Sequence, residues 1–115
     1  MLKIYHNSRC KKSRAGLAYL NENNIPHEVV EYLKSPLSSE ELKKLLMKLN
    51  LKPADIVREQ EEIYKKELKG KNFTDEEWIK IIMENPKLLQ RPVVEGQTRA
   101  VIAIPPEKIN DLVAK

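Results

Sequence analysis

The spacing of apolar and polar positions changes several times along the chain. Residues 2 to 5, Leu-Lys-Ile-Tyr, alternate β-favouring apolar side chains with polar ones and stop at a polar cluster, which predicts a short strand. From Lys11 to Asn23 the residues Ala15, Leu17, Ala18 and Leu20 keep a helical period, and Asn23-Asn24 ahead of Ile25-Pro26 is a stop signal. His27 to Tyr32 reads as a second strand. A helix that crosses between two strands of one sheet makes those strands parallel.

Ser38 and Glu41 match a capping box, and Leu42, Leu45, Leu46 and Leu49 fall at i, i+3, i+4 and i+7, so a helix is predicted over 39–49. Pro53 opens a short helical piece toward Arg58. Thr74 and Glu77 form a second capping box ahead of Trp78, Ile81 and Ile82, with Pro86 closing that helix. Val93-Val94-Glu95 and Arg99-Ala100-Val101-Ile102 flank Gly96-Gln97-Thr98 as a hairpin, and Pro105-Pro106-Glu107 starts a last helix through Ile109, Leu112 and Val113. No internal repeat is found. The order β, α, β, helical insert, β, β, α predicts an α/β fold of thioredoxin-like plan. It has a four-stranded mixed sheet and a helical insertion at about 38–86 between its halves, in a single domain over 1–115. In that plan the chemistry sits where the first strand meets the first helix.

Composition narrows the class. The chain has 115 residues, 41% of them hydrophobic and 33% charged, the size of one domain and far from the composition of a disordered segment. No apolar run approaches the roughly 20 residues that cross a bilayer, and the first residues lack the order of a signal peptide, so a cytoplasmic address without membrane contact is expected. A single cysteine agrees with a reducing compartment. The formal charge is +4, with lysines interleaved among glutamates as on solvated helix faces. With one Trp, one Phe and four Tyr there is no basic, aromatic stripe for nucleic acid, whereas a small anionic substrate suits the charge. No metal site is expected, since no second cysteine supplies ligands and neither His27 nor Trp78 has a sequence partner. There is no Gly-rich phosphate loop.

Cys10 lies between the first strand and the first helix, among His6, Arg9, Lys11 and Lys12. A lone cysteine is commonly a small buried hydrophobe. Cations on both sides and the free amides of a helix N-terminus favour a reactive thiolate instead. Ser13 completes C-x-x-S: its hydroxyl either caps the helix or points back at the sulfur as a donor. Lys11, Lys12 and Arg14 either form a positive edge to the site or are simply solvated.

The run Ile4-Tyr5-His6-Asn7-Ser8-Arg9-Cys10-Lys11-Lys12-Ser13-Arg14 resembles the opening of the ArsC-type, glutaredoxin-dependent arsenate reductase family. Later blocks resemble it in order: Val57-Arg58-Glu59 leading to Tyr64, Phe73-Thr74-Asp75, Asn85-Pro86 through Gln90-Arg91-Pro92-Val93-Val94, and Gln97-Thr98-Arg99. The resemblance implies a thioredoxin-like fold with Cys10 as nucleophile and His6 and Ser13 helping to hold its thiolate. It implies Arg58, Arg91 and Arg99 around the oxyanion, and in Pro92 a cis proline that places Arg91 beside the cysteine loop. Planar guanidinium groups grip tetrahedral oxyanions bidentately, which suits arsenate. Taken singly, Arg58 pairs as readily with Glu59 or Glu62 on a surface helix, and Arg99 as readily decorates an exposed hairpin.

The function so implied is reduction of arsenate to arsenite by a cytoplasmic monomer. It would have no bound cofactor, glutathione as co-substrate and glutaredoxin as partner. A glutathione-dependent thiol reductase acting on another substrate and a non-catalytic regulator binding RNA polymerase remain as alternatives. The absence of a second cysteine speaks against a disulfide-switched regulator.

Overall fold

In the computed structural model residues 1–113 are described. The chain divides into two compact units, Met1–Ser35 with the residues from Arg91 onward, and Pro36–Gln90.

The first unit holds β1 (Leu2–Tyr5), α1 (Lys11–Glu22), β2 (His27–Val30), β3 (Val93–Glu95) and β4 (Ala100–Ile102). The strand order is β2-β1-β3-β4. β1 runs parallel to β2 and antiparallel to β3, which pairs antiparallel with β4, so the sheet is mixed. Because side chains alternate across a strand, Leu2 and Ile4 share one face, and Ile4 stands opposite Val94. With Leu20 of α1, Ala103 and Ile109 they form the buried core of this unit. Each of the Leu, Ile and Val side chains so withdrawn from water contributes about 1.5–3 kcal/mol.

Two elements differ from the sequence expectation. β2 ends at Val30, since the amides of Lys34 and Ser35 both turn back to the Glu31 carbonyl, at 2.9 and 3.0 Å, and Tyr32 is fully buried within that turn. The last helix is a 3-10 segment, Pro106–Asp111, closed by short-range bonds such as Lys108 N–H to Pro105 O at 3.1 Å and Leu112 N–H to Ile109 O at 2.9 Å. In a segment of six residues few amides lie beyond the first turn, so bonds that reach back three residues satisfy what an α-helical pattern would leave open.

One contact sets the seating of α1. A Cβ placed on Gly16 would lie 2.8 Å from Pro92 Cγ, so the helix and the Pro92 ring meet where only glycine fits. Alanine is the better helix former by about 1 kcal/mol. Gly16→Ala is nevertheless expected to destabilise the fold by about 1–3 kcal/mol, because a proline ring cannot swing aside. Urea denaturation measures this, and a midpoint equal to or above wild type would show that the close approach does not exist.

In the second unit, α2 (Ser39–Leu49) starts at a complete capping box. Ser38 Oγ accepts from Glu41 N–H at 3.1 Å, and Glu41 Oε1 accepts from Ser38 N–H at 2.8 Å. Its Leu42, Leu45 and Leu46 are buried. α3 (Asp75–Glu84) repeats the device with Thr74 and Glu77, and buries Trp78, whose ring meets Phe73 edge-on at 4.9 Å. Between the two helices lie a 3-10 turn at Pro53–Ile56 and a π-helical turn at Tyr64–Leu68. The π turn was not predicted from the alternating Glu and Lys there. An antiparallel bridge, Arg58 N–H to Leu88 O at 2.7 Å and Gln90 N–H to Ile56 O at 2.8 Å, ties the segment after the 3-10 turn to the last residues of this unit.

Candidate active site

The loop from His6 to Cys10 leaves the C-terminal end of β1, and its shape is set largely by Asn7. The Asn7 backbone N–H donates to Ser13 Oγ at 2.9 Å, its carbonyl accepts from Cys10 N–H at 2.9 Å, and its side-chain Oδ1 accepts from Arg9 N–H at 3.0 Å. The last is the local turn that asparagine makes with a backbone amide two residues on. Sequence reasoning did not single out Asn7, although an Asn in a polar cluster just ahead of a helix is the usual signal for that turn.

Cys10 is the N-cap residue of α1, half-buried, with extended backbone and no side-chain capping bond. Burial pushes its thiol up. That push is outweighed by the Ser13 backbone amide, a hydrogen bond and positive charge from Arg91, and the Lys12 amide, so the thiol lies below its ordinary value. The first-turn amides thus act where the sequence placed them.

Ser13 is fully buried, but its hydroxyl faces away from the role considered for it. It is bonded to Asn7 N–H and, at 2.9 Å, to His6 Nδ1, while the Ser13 backbone N–H faces the sulfur. Burial pushes the His6 imidazole below its ordinary value, outweighing the opposing effects of the Glu31 carboxylate and the Ser13 hydrogen bond, and Arg14 adds to the lowering. That direction disfavours an imidazolium beside the thiol. The place of His6 is to hold Ser13, with donor and acceptor exchanged between its two tautomers.

Arg91 is buried, and the Arg91-Pro92 peptide is cis. Arg99 belongs to the same unit but is exposed on the β3–β4 turn, where its carbonyl accepts from Gly96 N–H at 2.7 Å. Arg58, in the second unit, pairs with Glu61 at 3.3 Å rather than with Glu59 or Glu62; those two meet the Tyr64 hydroxyl and Lys66. Of the residues carried by the resemblance, Cys10, His6, Ser13, Arg91 and Pro92 therefore meet around one loop. Among the cations flanking Cys10, Arg9, Lys11 and Lys12 are exposed, and Arg14 Nη1 donates to the Ser8 carbonyl at 3.0 Å, bracing the loop. Among the described residues no group of three or more His, Cys, Asp or Glu could hold a metal, and no helix is long and apolar enough to cross a membrane.

A mixed four-stranded sheet with a single thiol at the N-cap position of its first helix, beside an arginine that precedes a cis-proline, defines a thioredoxin-like α/β protein with a monothiol site. The model of the ArsC family matches residues 5–112. The chain is 39% identical to the arsenate reductase of Neisseria meningitidis over 94% of both chains, and 40% identical to the uncharacterized protein YfgD of Escherichia coli over 97% of this chain and 96% of that one. Its structure is similar to that of an arsenate reductase from Vibrio cholerae, with a TM-score of 0.90 and 36% identity over 96% of each chain. The chain belongs to the ArsC family.

Proposed function

We propose that this protein reduces arsenate to arsenite in the cytoplasm through the Cys10 thiolate, with glutathione as electron donor and glutaredoxin completing the cycle. The observation that carries the reading is the acidified thiol at the start of α1, with the Arg91 guanidinium on its sulfur. Family membership and relatives that bear the name arsenate reductase support the substrate.

The thiolate attacks arsenic, a sulfur–arsenic bond forms, and an arsenic–oxygen bond breaks as hydroxide leaves. Arg91, placed at the sulfur, neutralises the oxyanion as it approaches and charge as it shifts. A glutathione thiolate then attacks Cys10 Sγ. The sulfur–arsenic pair departs with arsenic, which falls from As(V) to As(III), while the two sulfurs are oxidised together to a mixed disulfide. A second thiol, on glutaredoxin, attacks the glutathione sulfur and returns Cys10 as thiolate. One cysteine alone cannot close this cycle.

The test is arsenite release from arsenate with glutathione and glutaredoxin, against thioredoxin with its reductase as the donor. Multiple turnover is expected with the first pair only, and none without a thiol. Steady arsenite production in the absence of any thiol donor, or with thioredoxin alone, overturns the mechanism.

A further inference from the structure

Beside the cysteine loop, at the C-terminal ends of β1 and β2, the first unit has a cleft of about 200 Å³. The loop residues 6–9 form one wall, and Glu31, Leu33 and Lys34 from the turn after β2 form the other. Ligands of open α/β sheets characteristically bind beyond this end of the strands. Nothing in the arsenate chemistry above uses the cleft.

Its charges are specific. Arg9 and Lys34 bring two positive charges and Glu31 one negative, and burial disfavours a charge on His6. Glu31 and Lys34 pair at 3.3 Å, but their side chains are 46% and 78% exposed, so that pair is weak and can exchange partners. Glutathione carries the opposite set near pH 7: two carboxylates, at its glycyl and γ-glutamyl ends, and one ammonium beside the latter. Its thiol lies between those ends, and an extended tripeptide spans about 10 Å. Arg9, in the cleft wall, is the residue next to Cys10 in the chain, so the cleft adjoins the segment that carries the thiol.

We propose that this cleft is the docking site of the glutathione molecule that resolves Cys10, with the γ-glutamyl end between Glu31 and Lys34 and a carboxylate against Arg9. This rests on the reading of glutathione as donor.

The test uses thiol–disulfide exchange, which needs no arsenate. Cys10 thiolate attacks one sulfur of oxidised glutathione, the mixed disulfide forms, and the other glutathione leaves as thiolate with the electron pair. The rate of that adduct, followed by mass spectrometry, is divided by the rate with uncharged hydroxyethyl disulfide, so that changes in thiol acidity cancel. Lys34→Glu should lower the ratio about five- to tenfold, and Lys80→Glu, outside the cleft, should leave it unchanged. The exchange Glu31→Lys with Lys34→Glu keeps the net charge but inverts its arrangement, and should lower the ratio as well. If the double variant keeps the wild-type ratio, or if Lys80→Glu lowers it equally, the effect is long-range attraction and the docking site is overturned. An insensitive ratio with normal arsenite release removes the cleft and leaves the proposed reaction. The expected ratios without arsenite release remove arsenate and leave the cleft.

Discussion

Cys10→Ser abolishes arsenite release, with an expected loss of about four to six orders of magnitude, the size typical of removing a covalent nucleophile. A serine hydroxyl in the same place is not acidified into an alkoxide at neutral pH. The single cysteine makes the control direct, because any alkylation of the wild-type chain reports on this residue alone. The rate of reaction with iodoacetamide follows the thiolate fraction, so its midpoint should fall below the reference thiol value of about 8.5. The sign carries over to stability. A thiol more acidic when folded leaves the folded chain with fewer protons than the unfolded chain at intermediate pH. Its stabilisation is complete above the ordinary thiol range and is lost as pH falls through the folded pKa. A midpoint at or above the reference would mean that the amides of Lys12 and Ser13 and the Arg91 charge do not act on the sulfur, and the catalytic assignment would go with them.

Arg91→Ala should have the next largest effect, seen in two places at once. Loss of its hydrogen bond and charge moves the Cys10 midpoint upward, toward the value that burial alone favours. Arsenate kinetics should also fall, by about 10²–10³, as on removal of one donor from an oxyanion site. Arg91→Lys restores charge without the planar fork. It should recover much of the thiol acidity and only part of the arsenate rate. Arg91 is buried, so circular dichroism and urea midpoints accompany each variant. An Arg91→Ala protein that folds and keeps both the wild-type midpoint and the wild-type arsenate kinetics would remove this residue from the mechanism.

Elements with strong local signals were legible in the sequence, and the losses have physical reasons. Ser38 with Glu41 and Thr74 with Glu77 announce their helices because a capping box is closed within four residues. The parallel pairing of β1 and β2 follows from the crossover helix alone. The π turn at Tyr64–Leu68 and the 3-10 form of Pro106–Asp111 have no comparable signature, since each depends on which carbonyl a frayed amide finds. At the site, the position of Cys10 was legible because a strand must end and a helix begin around it. The direction in which His6 is shifted was not, because it is set chiefly by burial, and burial is a property of the packed loop. Nor could the neighbours of Cys10 in sequence reveal that its guanidinium partner comes from 81 positions later in the chain, beside a cis-proline. That placement came through the resemblance.

The bonding of Ser13 bears on how this scaffold could be converted into a dithiol. Changing Ser13 to cysteine restores the spacing of a disulfide-forming pair, yet the new sulfur would occupy the pocket where Oγ now accepts Asn7 N–H and meets His6. Sulfur is a poor acceptor, so the Asn7 amide would lose its partner and the loop part of its frame. The serine is thus a keystone of the loop and not a vacant second-thiol position. A working dithiol on this backbone needs compensating changes at Asn7 and His6, so a one-step route from monothiol to dithiol chemistry is uphill.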